Sequence, residues 1–143
     1  MKNYFDDLAQ LIAEFSQVYA RYAQEHRLNF NELHFLYYIY NHDNQAHANE
    51  ISKRWSIPKQ TINSMINKFR DAAVLAVTKD PTDGRKRLLS LTPRGKELVG
   101  PLVDELTASE LAVQQKHPAD FAQLLPAFQK IKDDFRDQLN PDD

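Results

Sequence analysis

The sequence predicts a mainly α-helical chain with one basic β-hairpin in its middle and a long amphipathic helix at each end. Three observations lead there. Only 3 of the 143 residues are glycine, and the 7 prolines mark the starts and stops of helical patterns. Apolar residues recur at spacings of three and four over most of the chain. One stretch breaks that rhythm. DPTDGRKRLLSLT, from Asp80 to Thr92, opens with turn residues, sets three bases in a row and then alternates apolar with polar.

The first helix is predicted from about Tyr4 to His26, with Phe5, Leu8, Ile12, Phe15, Tyr19 and Tyr22 on one face. The second starts within NFNELHFLYYIY, with Asn31 as its cap. Leu33 to Tyr40 is almost wholly apolar or aromatic, so this helix is buried around most of its circumference. HDNQAH, His42 to His47, is a polar turn. A short third helix runs from Ala48 to Ser56. Pro58 suits the first position of the fourth helix, where its missing N–H is no loss. That helix, KQTINSMINKFRDAAVL, turns Ile62, Met65, Ile66 and Phe69 inward.

Strands follow at Leu75 to Lys79 and Arg87 to Leu91, joined through TDGR, with Gly84 supplying positive φ. Thr92 caps and Pro93 starts a helix toward Lys116. His117-Pro118 interrupts it. A last helix, Ala119 to Leu139, carries Phe121, Leu124, Phe128, Ile131, Phe135 and Leu139 before a frayed acidic end, NPDD.

Composition narrows the function. An apolar fraction of 42% and a charged fraction of 27% suit a folded core. The absence of cysteine excludes disulfides, thiol catalysis and Cys-ligated zinc. MKNYFDDLAQLIAEF reads as no signal peptide, and no run reaches the ~18 apolar residues of a membrane span. The expected location is cytoplasmic. The net charge of −2 hides an asymmetry: Ile51 to Lys96 holds 11 Lys or Arg against 3 Asp or Glu, while the rest of the chain is acidic. A basic middle points to a polyanion, against the alternative of a solvated face.

Two helices joined by a short turn, the second with a polar outer face, suggest a helix-turn-helix. That face offers Lys59, Gln60, Thr61, Asn63, Ser64, Asn67 and Lys68, with no acid between Lys59 and Arg70. Amides and hydroxyls pair with base edges, and bases with phosphate or guanine. The hairpin adds Arg85, Lys86 and Arg87 at its tip, a shape that enters a minor groove. Asp83, two residues before Arg85, is placed to hold its guanidinium. Leu89 and Leu91 face one way, Leu88 and Ser90 the other. The apolar strips of the end helices are satisfied either by each other or by a second copy of the chain.

The pattern of Asp83, Arg85, Leu89, Leu91, Thr92 and Gly95, together with ISKRWSIPKQTINSMINKF, resembles the winged helix-turn-helix of the MarR family of bacterial transcription regulators. The resemblance extends over nearly the whole chain. It implies a dimerisation helix at residues 1–30, a winged helix-turn-helix at 31–96 and dimerisation helices at 97–143. It further implies a homodimeric regulator, a repressor, on a palindromic double-stranded DNA operator. Pro58 to Lys68 would lie in major grooves and Arg85 in flanking minor grooves. Two positions depart from the family pattern. Ala73 stands where glycine is common, so a different turn is expected there. Gly84 replaces a bulkier, often basic residue.

Members of the family commonly bind phenolic anions. By that likeness Arg21, His34, Tyr38 and Trp55 are candidates for a pocket for a small aromatic or lipophilic ligand; the alternative is an aromatic core. Two other readings are a metal-sensing regulator of the same fold, using Glu32, His34, His42 and His47, and a protein-binding adaptor. No spacing among those four matches a zinc pattern, so neither a metal nor a cofactor is expected. His42-Asp43 with His47 could suggest a metallophosphohydrolase. The chain lacks a phosphate-cradling glycine loop and a nucleophile elbow, so no enzyme is expected.

Overall fold

The computed structural model describes residues 1–142; Asp143, the last residue of the acidic end, lies outside them. Among the described residues the order is α1 (Tyr4–Glu25), α2 (Phe30–Asn41), β1 (Ala46–His47), α3 (Ala48–Trp55), α4 (Lys59–Asp71), β2 (Leu75–Lys79), β3 (Arg87–Leu91), α5 (Pro93–Lys116) and α6 (Pro118–Leu139). The chain divides into two compact units, Met1–Val103 and Asp104–Asp143. The break falls inside α5. In the first unit α1 packs on α2: Tyr19 meets His34 at 5.0 Å and Phe30 at 6.4 Å between ring centres. The Tyr22 hydroxyl also donates to the Leu102 carbonyl at 2.6 Å. No helix among the described residues is long and apolar enough to cross a membrane.

The core of the first unit is the inward face of every element between α2 and α5. Phe35, Leu36 and Ile39 meet Ile51, Ile62, Met65, Ile66 and Phe69, and Leu75, Leu89, Leu91, Val99 and Val103 close around them. Phe35 and Phe69 stack at 6.0 Å. This burial ties α4 to the body by one face and leaves its other face outward.

Four local expectations are corrected. Asn29, not Asn31, caps α2. Its side chain accepts from Glu32 N–H at 2.8 Å, while Glu32 accepts from Asn29 N–H at 2.9 Å. This reciprocal pair satisfies two orphan donors at once, which Asn31 cannot do from inside the helix. The polar turn before α3 also supplies a strand. Ala46 and His47 pair with Leu89 and Leu88, making a three-stranded antiparallel sheet in the order β1-β3-β2. Asn44 extends the join, its amide exchanging bonds with Leu91 N–H and C=O at 2.7 and 3.1 Å.

The third correction concerns Ala73, which adopts φ 61° despite its Cβ. The chain makes the turn a glycine would make. Ala73 N–H donates to Arg70 C=O and Val74 N–H to Phe69 C=O, the paired bonds of a Schellman end. The Thr92 hydroxyl holds the Ala73 carbonyl at 2.6 Å. Removing the Cβ penalty by Ala73→Gly is expected to stabilise the protein by about 1 kcal/mol. Urea unfolding at fixed protein concentration checks this; a loss of stability would mean the turn carries no strain. The fourth is Gly84, which has no positive φ. A Cβ built on it meets nothing within 4 Å, so the wing turn does not depend on glycine.

Candidate nucleic-acid interface

The fourth helix presents Lys59, Gln60, Asn63, Ser64, Asn67 and Lys68 outward, with Thr61 half-buried at the edge of that face. Several of these polar groups are held. Ser64 donates back to Gln60 C=O at 3.1 Å, and Arg70 donates to the Asn67 amide oxygen at 3.0 Å. Lys68 Nζ donates to Glu32 Oε2 at 2.5 Å. Lys68, a candidate DNA contact, stays 58% exposed while it pairs with Glu32, 8% exposed, at the N-terminal turn of α2.

The wing joins β2 and β3. Lys79 pairs with Arg87 at its base, Asp80 N–H donates to Lys86 C=O, and Lys86 N–H donates to Asp83 C=O. Asp83 Oδ1 accepts from the Arg85 backbone N–H at 3.1 Å. The expected bond from Asp83 to the Arg85 guanidinium is thus replaced by one to its amide. The short Asp side chain reaches the amide two residues on, as in an Asx turn. Arg85, Lys86 and Arg87 are all exposed. Arg87 reaches back across the fold, its Nη2 donating to Asn63 Oδ1 at 2.7 Å. Wing and α4 therefore form one continuous polar surface.

The root of the wing is fastened by two residues that sequence reasoning did not assign there. Asp80 Oδ1 accepts from Thr82 N–H and Oγ1, both at 2.7 Å, and from Asp83 N–H at 3.3 Å. Its other oxygen meets His47 Nε2. His47 Nδ1 meets Glu50 Oε1 at 2.5 Å, and Glu50 Oε2 accepts from the Tyr38 hydroxyl at 3.2 Å. One imidazole thus links wing, sheet and α3. A cleft of about 130 Å³ opens beside it, lined by His47, Ala48, Asn49, Arg85, Lys86 and Arg87. Two signals could have found this root. Asp-Pro-Thr is an Asx-turn sequence, and His47-x-x-Glu50 has the spacing of a capping box.

This geometry shifts the titrations. Bonds first to Asp80 and then to Glu50 raise the His47 pKa above its ordinary 6.5, against the opposing effect of burial. Bonds from Thr82 and His47 hold Asp80 well below the usual carboxylate range. Because His47 is raised in the fold, its stabilisation is full below pH 6.5 and is lost as pH rises through the raised value. Asp80 runs the other way: its part is present above pH 3.8 and lost as pH falls through the depressed value. His47→Gln is expected to cost about 1 kcal/mol at pH 6, with the gap to the natural protein narrower at pH 9. Urea unfolding at both pH values measures it. An equal gap at both would mean a neutral imidazole at the wing root.

The candidate ligand residues are placed differently from one another. His34 is buried, with Nδ1–H donating to Phe30 C=O at 2.9 Å and its ring against Phe30 at 4.2 Å and Trp55 at 4.4 Å. Trp55 Nε1 is buried and makes no hydrogen bond among the described residues. Tyr38 turns to Glu50 and stacks on His42 at 3.8 Å, and Arg21 is exposed on α1. Glu32, His34, His42 and His47 each point to different neighbours. No group of three metal-ligating side chains converges among the described residues.

Residues 28–86, which hold the helix-turn-helix and most of the wing, match the model of the MarR family. No curated protein sequence matches significantly. Solved structures do. NMB1585, a MarR family regulator from Neisseria meningitidis, is 22% identical, with 99% of this chain and 100% of that one covered at a TM-score of 0.85. AbsC, a MarR family transcriptional regulator from Streptomyces coelicolor, is 15% identical over 92% and 91% of the two chains, with a TM-score of 0.72. BpsR of Bordetella bronchiseptica, whose DNA binding is regulated by 6-hydroxynicotinic acid, is 22% identical over 88% and 98%, with a TM-score of 0.62. At these identities the likeness establishes the fold. The family model covers the part of the chain that carries the polar α4 face and the basic tip, and the chain as a whole shares the winged helix-turn-helix fold of solved MarR family regulators.

Proposed function

We propose that this protein is a sequence-specific DNA-binding regulator, a repressor, acting as a homodimer on a palindromic operator. The observation that carries the reading is the shared surface of α4 and the wing, joined by the Arg87–Asn63 bond. Amides and hydroxyls on α4 suit base edges in a major groove, and the exposed Arg85 at the tip suits the adjacent minor groove. The three bases lining the cleft beside α3 support phosphate contacts. The location that follows is the cytoplasm of a bacterium.

Pairing of two copies is supported by apolar surface on the end helices. Leu11, Phe15 and Val18 of α1 are exposed, and α6 has no buried residue although it carries Leu124, Leu125, Ile131 and Leu139. Two-fold pairing would set two α4 helices about one DNA turn apart, ~34 Å. Release by a small aromatic or lipophilic ligand is supported by the printed behaviour of BpsR. The buried Trp55 Nε1 beside His34 gives such a ligand a donor to meet.

The test is binding of the purified protein to DNA from upstream of its own gene, at two salt concentrations, with random DNA as competitor. Sequence-specific binding that weakens steeply with salt is expected. Arg85→Ala should lower affinity about tenfold at unchanged fold, since the side chain is exposed. Unchanged affinity would remove the wing from the interface. Binding blind to sequence would leave a general polyanion surface.

A further inference from the structure

We propose that Arg87 is a positioning residue that decides which base Asn63 reads. The inference rests on the DNA-binding reading of α4 and goes one step into its chemistry. Arg87 Nη2 donates to Asn63 Oδ1 at 2.7 Å, and both side chains are exposed. A guanidinium has only N–H donors, so it fixes the amide with its oxygen toward Arg87 and its NH2 away. Arg87 is itself fixed as the first residue of β3, paired with Lys79.

A free Asn amide recognises adenine with two bonds. It accepts from adenine N6 and donates to N7. The Asn63 oxygen has two lone pairs; Arg87 takes one and sets its positive charge beside the other, which disfavours a second donor such as adenine N6. What Asn63 presents most readily to a groove is its NH2 donor. A donor matches guanine, whose N7 and O6 are both acceptors. It is mismatched to the N6 amino group of adenine. Arg87 thereby turns an adenine reader into half of a guanine reader, although it sits on the wing and Asn63 on the helix. Gln60 and Asn67 flank Asn63 on the same face, and Asn67 is likewise held through its oxygen, by Arg70.

The experiment is selection of bound sites from randomised DNA by the full-length protein, compared with Arg87→Met, Asn63→Ala and the double variant. Thermal melts confirm that each folds. The natural protein is expected to select guanine at the Asn63 position. Arg87→Met should shift that position toward adenine by about tenfold in relative affinity. In the Asn63→Ala background the same Arg87 change should shift nothing. Arg87→Met lowering all sequences equally would make Arg87 a plain phosphate contact and overturn the proposal. A shift that persists without Asn63 would overturn it too, since Arg87 would then touch the base itself. Absence of any selected site for the natural protein would defeat the DNA-binding reading, and this proposal with it, and is recognised before any variant is compared.

Discussion

Gly95→Ala is expected to destabilise the protein by about 3 kcal/mol and to lower its melting temperature by roughly 10 °C. A Cβ on Gly95 would lie 2.1 Å from the Val74 carbonyl oxygen and 3.0 Å from its carbon. Both atoms are backbone, and neither is free to move. The Val74 carbonyl accepts from Thr92 N–H at 3.0 Å, and Val74 N–H closes the end of α4 on Phe69. Gly95 N–H is in turn capped by the Thr92 hydroxyl at 2.9 Å. The end of α4, the start of β2 and the start of α5 thus meet at one point, and Gly95 lets them meet. Relieving the overlap would shift α5 or break the α4 turn. Gly84→Ala is the control: open space surrounds that position, and its φ is not positive, so a change of under about 0.5 kcal/mol is expected. Thermal melts at fixed concentration compare the two. A neutral Gly95→Ala would mean that the joint is plastic and that the Leu-Thr-x-x-Gly pattern has another cause.

That joint also shows why the wing was legible in the sequence. Thr92 and Pro93 announce a helix start by local chemistry, and alternation from Arg87 to Leu91 announces a strand. The observed strands, Leu75–Lys79 and Arg87–Leu91, have the bounds the pattern predicts. Turn residues bracket both, so no distant partner was needed to place them. The misses have the opposite character. Two residues of β1 are too short for any periodicity to register, and only their partners in β3 define them. Ala73 at φ 61° depends on the Thr92 hydroxyl 19 residues away. The Asn29 cap was within reach, because Glu32 three residues on marks the reciprocal pair. Asp83 holds the Arg85 amide where a bond to its guanidinium was expected. The polar face of α4 was readable as a face, but not which side chains on it are bonded to other elements. Asn63 and Lys68 are bonded to residues 24 and 36 positions away, and neither separation leaves a trace in composition.

Lys68 gives the second large effect, because its role divides between stability and DNA. Lys68→Met is expected to cost about 2 kcal/mol, less than the ~3–5 kcal/mol of a fully buried pair broken from one side. The reduction follows from the geometry. Glu32 is 8% exposed, but the Lys68 end of the pair is 58% exposed and water reaches it. Glu32 also retains its bond from Asn29 N–H and the favourable field of the α2 N-terminus. Pairing Lys68→Met with Glu32→Gln removes the uncompensated charge while keeping the cap, so the double variant should recover more than half of the loss. Urea unfolding of the two single variants and the double measures the coupling. The same proteins on DNA separate the roles. A lysine used for phosphate would leave stability untouched and lower affinity for all sequences alike, with a shallower salt dependence. A lysine that holds Glu32 would lower stability first. It ties the C-terminal half of α4 to the start of α2.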